Sequence, residues 1–266
     1  MRTKALPVTV TLLVLSVVAA QADTAVNCTF KNIGSCPKIG CAKSGTPLAA
    51  TNSLKRTTAI NGSPAEISFS DLQALQTDVD KKFANGPIVI KGQKISSYRS
   101  MNAAPRTIVL SGLKAGSKSF SEGDFVELSG FIASKKLPPH PNTGESVNCK
   151  LKDEPSNDYH INITPAKNGN ETEGVVVEMI PQNPHRKNKG WDLTKLKTIQ
   201  EKQLQVKIQG RLFFDSEHKP NTTGNAGGNP RRFSIWEIHP LAAFFVCPSG
   251  SCSKNTGWKA LEDWEP

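Results

Sequence analysis

Beyond residue 124 the apolar residues fall in an order that few folds accommodate. Strand-type stretches run over Phe125–Ala133, then from Ser146 with an interruption at Asp153–Asn157 and a resumption at Asp158–Thr164, then over Gly174–Ile180. Trp191–Ile199 has the spacing of a short helix, and strand character returns at Leu204–Asp215 and again near Phe233. Three strands, a helix and two strands is the succession of a five-stranded OB barrel, whose helix lies between the third and fourth strands. The predicted fold class is therefore mainly β, an OB-like barrel preceded by a small α+β accessory segment. Gly130, inside the first strand, marks a bend or bulge where a small barrel must coil.

The fourth strand fixes which side chains face inward. Leu204, Val206, Ile208, Leu212 and Phe214 share one parity with Gly210 among them, and Gln205, Lys207, Gln209, Arg211, Phe213 and Asp215 share the other. The even set belongs to the core. If Asp215 lies across from Phe233, then Arg211 meets Glu237 and Gln209 meets His239, which turns Trp236 and Ile238 inward and Glu237 and His239 toward solvent. On the second strand Tyr159, Ile161 and Ile163 alternate with Asp158, His160 and Asn162, again one apolar and one polar face.

Upstream, residues 1–22 have the layout of an export signal: Arg2 and Lys4, an apolar run over Leu6–Ala20, and the small-x-small site Ala20-Gln21-Ala22. The apolar run is short for a membrane span, and no later segment is long and apolar enough. Residues 23–118 form a basic, cysteine-containing accessory segment, 119–247 the barrel, and 248–266 a tail whose Trp258 and Trp264 dock on it. Residues 23–65 lack periodicity and read as an extended, disulfide-pinned stretch. A helix follows, with Ser70 and Gln73 as a capping box, Leu72, Leu75, Val79 and Phe83 on one face, and Gly86 as its stop. Pro87–Ile90 and Thr107–Leu110 read as short strands.

Export makes disulfides the expected state of Cys28, Cys36, Cys41, Cys149, Cys247 and Cys252. The first three cannot all pair among themselves, so at least one ties the accessory segment to the barrel. Zinc at Cys36 and Cys41 is disfavoured by the oxidising compartment and the lack of a nearby histidine. Charge is unevenly placed: residues 23–118 carry 13 Lys and Arg against 5 Asp and Glu, while residues 119–266 carry 18 of each. A barrel without net charge weakens the case for nucleic acid, and the basic segment suits an anionic surface polymer or a protein partner instead. Arg186, Lys187, Lys189, Arg231 and Arg232 are the local cationic sites of the barrel, and Gly224–Gly228 reads as a hairpin tip rather than a phosphate cradle.

Two sets of residues are candidates for function. A binding face carries His160, Glu178, Arg211, Glu237 and His239, walled by the long loops between strands one and two and between strands four and five. A metal site draws on His160, Asp215, His218, Glu237 and His239, since imidazole and carboxylate together hold a hard or borderline divalent ion that activates water. The bland alternative is a cross-strand Arg211–Glu237 ion pair, with the histidines bonded to neighbouring strands or carboxylates and Asp215 and His218 capping the loop. No H-x-x-E-H or H-E-x-x-H helix, no G-x-S-x-G elbow and no phosphate loop occurs, and cysteines committed to disulfides are not nucleophiles. No catalytic residue is assigned.

Asp158-Tyr159-His160, Phe213-Phe214-Asp215 with His218, and Glu237-Ile238-His239-Pro240 together resemble a group of functionally uncharacterised secreted bacterial proteins with an OB-like barrel. In that group D-Y-H, F-F-D-x-x-H and E-[IL]-H-P strands recur in this order. The resemblance spans roughly residues 120–247; it implies the fold and export to the periplasm or beyond, and carries no activity. The chain thus reads as a secreted binding or structural module for an extended polymer or protein partner, needing no cofactor. The alternatives are a metal-dependent hydrolase of phosphodiesters and a structural component of an envelope assembly.

Overall fold

Five strands close into the barrel that the apolar order predicts: β1 (Phe125–Ile132), β2 (Tyr159–Thr164), β3 (Val175–Met179), β4 (Gln205–Phe214) and β5 (Trp236–Val246). The computed structural model describes residues 28–134, 144–188, 190–218, 220, 231–250 and 252–266. The predicted export signal and the glycine run 224–228 lie outside them. Antiparallel ladders join β1 to β2, β2 to β3, β5 to β4 and β4 to β1, and a parallel contact between Ile238 of β5 and Val177 of β3 completes the circuit. The helix Leu193–Glu201, capped by Asp192, lies between β3 and β4 as expected of OB-like connectivity.

The β4 alternation is realised. Val206, Ile208, Leu212 and Phe214 are each 0–1% exposed and share one core with Val126, Leu128, Ile161, Ile163, Val177, Trp236 and Ile238. Burying each such side chain contributes about 1.5–3 kcal/mol. Gly210 interrupts the set because a Cβ there would lie 2.6 Å from the Pro240 carbonyl oxygen. Gly130 serves the same purpose in β1, where an added Cβ would lie 2.6 Å from the Thr164 carbonyl as the strand passes from β4 to β2.

The β4–β5 register differs from the expected one by two residues. Phe213, not Arg211, lies across from Glu237, and Trp236 lies across from Phe214. A two-residue slip preserves every face, so Trp236 and Ile238 still point inward. The slip is followed by ladder irregularities between Ile238 and Ala243, around Pro240, which has no N–H to donate. Arg211 therefore pairs across from Phe125 and donates to the Ala59 carbonyl at 2.8 Å, and the expected Arg211–Glu237 ion pair does not form.

Three further expectations are corrected upstream of the barrel. Residues 23–65 are not wholly extended: Thr46 caps the helix α1 (Pro47–Lys55), its hydroxyl accepting from Ala49 N at 3.2 Å, with Pro47 in the first turn. The helix α2 (Phe69–Phe83) starts two residues earlier than the Ser70 box implies; Ser68 and Asp71 form the box, and Leu72, Leu75 and Val79 are buried as predicted. Thr107–Leu110 is not a strand but the end of helix α3 (Ala103–Val109), where Ala103, Ala104 and Pro105 supply a helical first turn that outweighs the β-branched residues after it.

All six cysteines are paired, as Cys28–Cys41, Cys36–Cys149 and Cys247–Cys252. Cys36–Cys149 is the predicted tie between accessory segment and barrel, anchoring the stretch after Cys28 to the β1–β2 connection. In the tail, Lys259–Ala260 adds an antiparallel pair to β5, and Trp264 is buried. No helix among the described residues is long and apolar enough to cross a membrane. The face assignment predicts that Ile208→Ala lowers unfolding free energy by about 2–5 kcal/mol. Arg211→Ala, on the opposite parity, should cost under about 1 kcal/mol; equal losses in urea melts would contradict the assignment.

Candidate metal site

The polar faces of three adjoining strands converge. In the β2–β3 ladder His160 sits directly across from Glu178, and the contact of Val177 with Ile238 sets Glu178 beside Glu237 and His239 of β5. Asp158, two residues before His160, shares its side of the sheet, as alternation requires. Phe213 and Asp215, at the end of β4, border the same region.

This face is not open to solvent. Asp158, His160, Glu178, Asp215, Glu237 and His239 are all 0–1% exposed, so Glu237 and His239 are sequestered and not turned outward as expected. The cover comes from α1 and from the turn Ser146–Asn148 that Cys36–Cys149 fastens against it. Cys41 N donates to the Ser146 carbonyl, and Asn52 on α1 donates to the Ser146 hydroxyl at 3.1 Å. With that cover come two charges: Lys55 at the end of α1, buried over the Phe213 ring, and Glu145 just before the turn, 3.7 Å from Lys55.

The distances define two neighbouring groups. His160 Nε2 lies 3.1 Å from Glu145 Oε1 and 3.3 Å from Glu178 Oε1. His239 Nδ1 lies 3.0 Å from Glu178 Oε2 and 3.7 Å from Glu237 Oε2, while its Nε2 is 3.9 Å from Asp158 Oδ2. One donor atom each from Glu145, His160 and Glu178 fits within 4.8 Å, and the same holds for Asp158, Glu178 and His239. A separate ionic group adjoins them: Arg232 donates to Glu237 and lies 3.6 Å from Asp215, which is hydrogen-bonded to His218 and accepts from Glu217 N.

Several buried atoms in this region have no hydrogen-bond partner: both Asp158 oxygens, Glu178 Oε2, Glu237 Oε2, both His239 nitrogens, His160 Nδ1 and Arg232 Nη2. The His239–Glu178 approach is close enough for an ion pair but not aligned as a hydrogen bond. Orphaned buried polar atoms each cost about 1–3 kcal/mol. A cation coordinated by the carboxylate and imidazole lone pairs among them would remove that cost at those atoms, though not at the Arg232 donor.

Electrostatics gives the same picture. Five carboxylates (Glu145, Asp158, Glu178, Asp215 and Glu237) meet two fixed cations (Lys55 and Arg232), so with neutral imidazoles the cluster is three charges short of balance. Without a metal the histidines respond. Burial opposes the charged ring, but Glu178 and Glu145 outweigh it and push His160 up to about 9, and Glu178 with Glu237 pushes His239 up to about 10. Burial, then Glu178, raises Asp158 to about 6. Against burial, Lys55 and His160 hold Glu145 down to about 2. For Lys55 itself burial is outweighed by Glu145, Asp215, Glu178 and Glu237, which hold the ammonium well above its usual range.

His160, Glu178, Glu237 and His239 from the predicted set are therefore brought together, whereas Arg211 is not. Asp215 and His218 pair with each other beside Arg232 rather than joining either donor group. Lys55, Glu145, Asp158 and Arg232 enter as members not assigned from sequence. Asp158 carried a signal, the parity it shares with His160; Glu145 and Lys55 carried none, since tertiary cover and a disulfide place them. Comparison with known proteins finds no matching family model, curated protein or solved structure.

Because the folded values of His160 and His239 exceed the ordinary 6.5, their stabilisation is complete below about pH 6.5 and is lost as pH rises through about 9–10. In chelator, melting temperature should fall across that window, and His160→Gln should flatten the fall; a pH-independent melt contradicts the ion pairing. Arg232→Leu leaves Glu237 without its buried counter-charge and should cost about 3–5 kcal/mol in urea melts. Adding Glu237→Leu should recover much of it; no recovery would show that the pair is not the cause.

Proposed function

We propose that the protein is an exported metal-dependent hydrolase of phosphodiesters, its cation held by the carboxylate and imidazole groups around Glu178. The observation that carries this is the convergence of Glu145, His160 and Glu178, and of Asp158, Glu178 and His239, into ligand-sized groups with unpartnered oxygens. Imidazole with carboxylate suits zinc or manganese. Three protein ligands leave a position for water, whose pKa such an ion brings toward 7. Such a hydroxide would bond to phosphorus as the bond to the leaving oxygen breaks, giving a phosphomonoester and an alcohol. In this reading Arg232 Nη2, a buried donor without a partner, would take a phosphoryl oxygen, and His218, held by Asp215, would protonate the leaving oxygen.

Glu145 and His218 are the members with some exposure, their side chains 15% and 28% accessible. Glu145 lies in the β1–β2 connection and His218 opens the β4–β5 connection, the two loops that wall the usual ligand face of OB barrels. Export is supported by the three disulfides, which persist in oxidising compartments.

The near-complete burial of the other members favours a second function, a binding or structural module in which the ion fastens the rim and the basic accessory segment meets an anionic polymer. The two are separated by assaying bis(p-nitrophenyl) phosphate with zinc or manganese. The hydrolase requires turnover abolished by chelator, restored by metal, and lowered by about 100-fold in Asp158→Asn. Metal that raises the melting temperature while no diester is cleaved would overturn hydrolysis and leave the binding module.

A further inference from the structure

Glu178 belongs to both donor groups, and its two oxygens are divided between them. Oε1 faces His160 Nε2 at 3.3 Å, and Oε2 faces His239 Nδ1 at 3.0 Å. The remaining members are also divided. Glu145 Oε1 lies 3.1 Å from His160 Nε2, and Asp158 Oδ2 approaches His239 at the ring's other nitrogen, Nε2, 3.9 Å away; an ion shared by Asp158, Glu178 and His239 takes one of the two ring nitrogens, with one ligand atom from each residue within 4.8 Å. Among the described residues only Glu178 belongs to both sets of ligand atoms, each of which fits within 4.8 Å, one with Glu145 and His160 and the other with Asp158 and His239. A carboxylate directing one oxygen into each of two such groups has the geometry of a bridge, and bridged divalent ions lie about 3.5–4 Å apart.

We infer that the cluster holds two divalent cations bridged by the Glu178 carboxylate, one on Glu145 and His160 and the other on Asp158 and His239. This rests on the metal-site interpretation above and extends it from one ion to two. Two features point to the second ion. Asp158 is 1% exposed with both oxygens unpartnered, so the second group carries buried ligand atoms that no hydrogen bond satisfies. Each group supplies one imidazole and one terminal carboxylate in addition to the shared Glu178, so the two are chemically equivalent. For a phosphodiester, the pair clamps both the attacking and the leaving oxygen of an in-line displacement. An ion on Glu145 and His160 and an ion on Asp158 and His239 would between them supply a hydroxide and neutralise the charge developing on the leaving oxygen.

The test uses the full chain after chelator treatment, titrated with Mn²⁺ and followed by metal analysis and electron paramagnetic resonance. Two manganese per chain with an exchange-coupled spectrum are expected. His160→Ala and His239→Ala, each checked by circular dichroism for retained fold, should hold one ion and show an uncoupled signal, and Glu178→Ala should lose the coupling. One manganese per chain, or two without coupling, would overturn the bridge and leave a single-ion site standing. No binding of Mn²⁺, or of Zn²⁺ in the same titration, would overturn both. The wild-type spectrum alone decides between these outcomes if a variant does not fold.

Discussion

Negative charge buried without enough positive charge to match it is the constraint around which this structure is organised. A carboxylate removed from water is stable only when paired, hydrogen-bonded or coordinated, and here Asp158, Glu178, Asp215 and Glu237 are removed together. The barrel brings one answer of its own in Arg232, at the entry to β5. The accessory segment brings another. Helix α1 carries Lys55 into the cluster, and Cys36–Cys149 fastens the Glu145 turn to the segment that leads into that helix. The basic excess before residue 119 thus includes a charge spent inside the protein and not on its surface. Its purpose is local: to make a buried acidic face tolerable.

What remains unbalanced can be met by protons or by cations, and the two compete for the same atoms. Imidazoles must lose their protons to ligate, so a site whose histidines are held strongly basic binds metal at the expense of bound protons. The carboxylates that raise His160 and His239 are the groups that would serve as their fellow ligands. This double use keeps the metal-free cluster stable until pH rises through about 9–10, and a metal at the same groups would have to displace the protons of both rings.

The β-barrel was legible because its evidence is local. Parity along β4 and β2 named the inward residues, and a two-residue error in register did no harm to that assignment, because faces repeat every second residue. The same parity argument gathered His160, Glu178, Glu237 and His239 on one side. Their burial was not legible, since a sequence pattern distinguishes two faces of a sheet but not whether something lies over the second one. Here α1 lies over it, hidden in a stretch whose Thr46-Pro47 start is a helix signal that the surrounding glycines and cysteines obscure. Lys55 and Glu145 reach the site through long-range packing and a disulfide joining residues 113 apart, and no local pattern encodes either. Arg211 failed for the opposite reason: an outward parity and a plausible acidic neighbour suggested a pair that the true register separates.

The most direct test is anomalous X-ray diffraction at the zinc absorption edge from crystals grown with zinc. Coordination by the cluster requires anomalous density about 2.0–2.2 Å from nitrogen and oxygen atoms of His160, His239 and Glu178. Density absent there, with both imidazoles hydrogen-bonded as cations to the surrounding carboxylates, would contradict it and leave a purely ionic network.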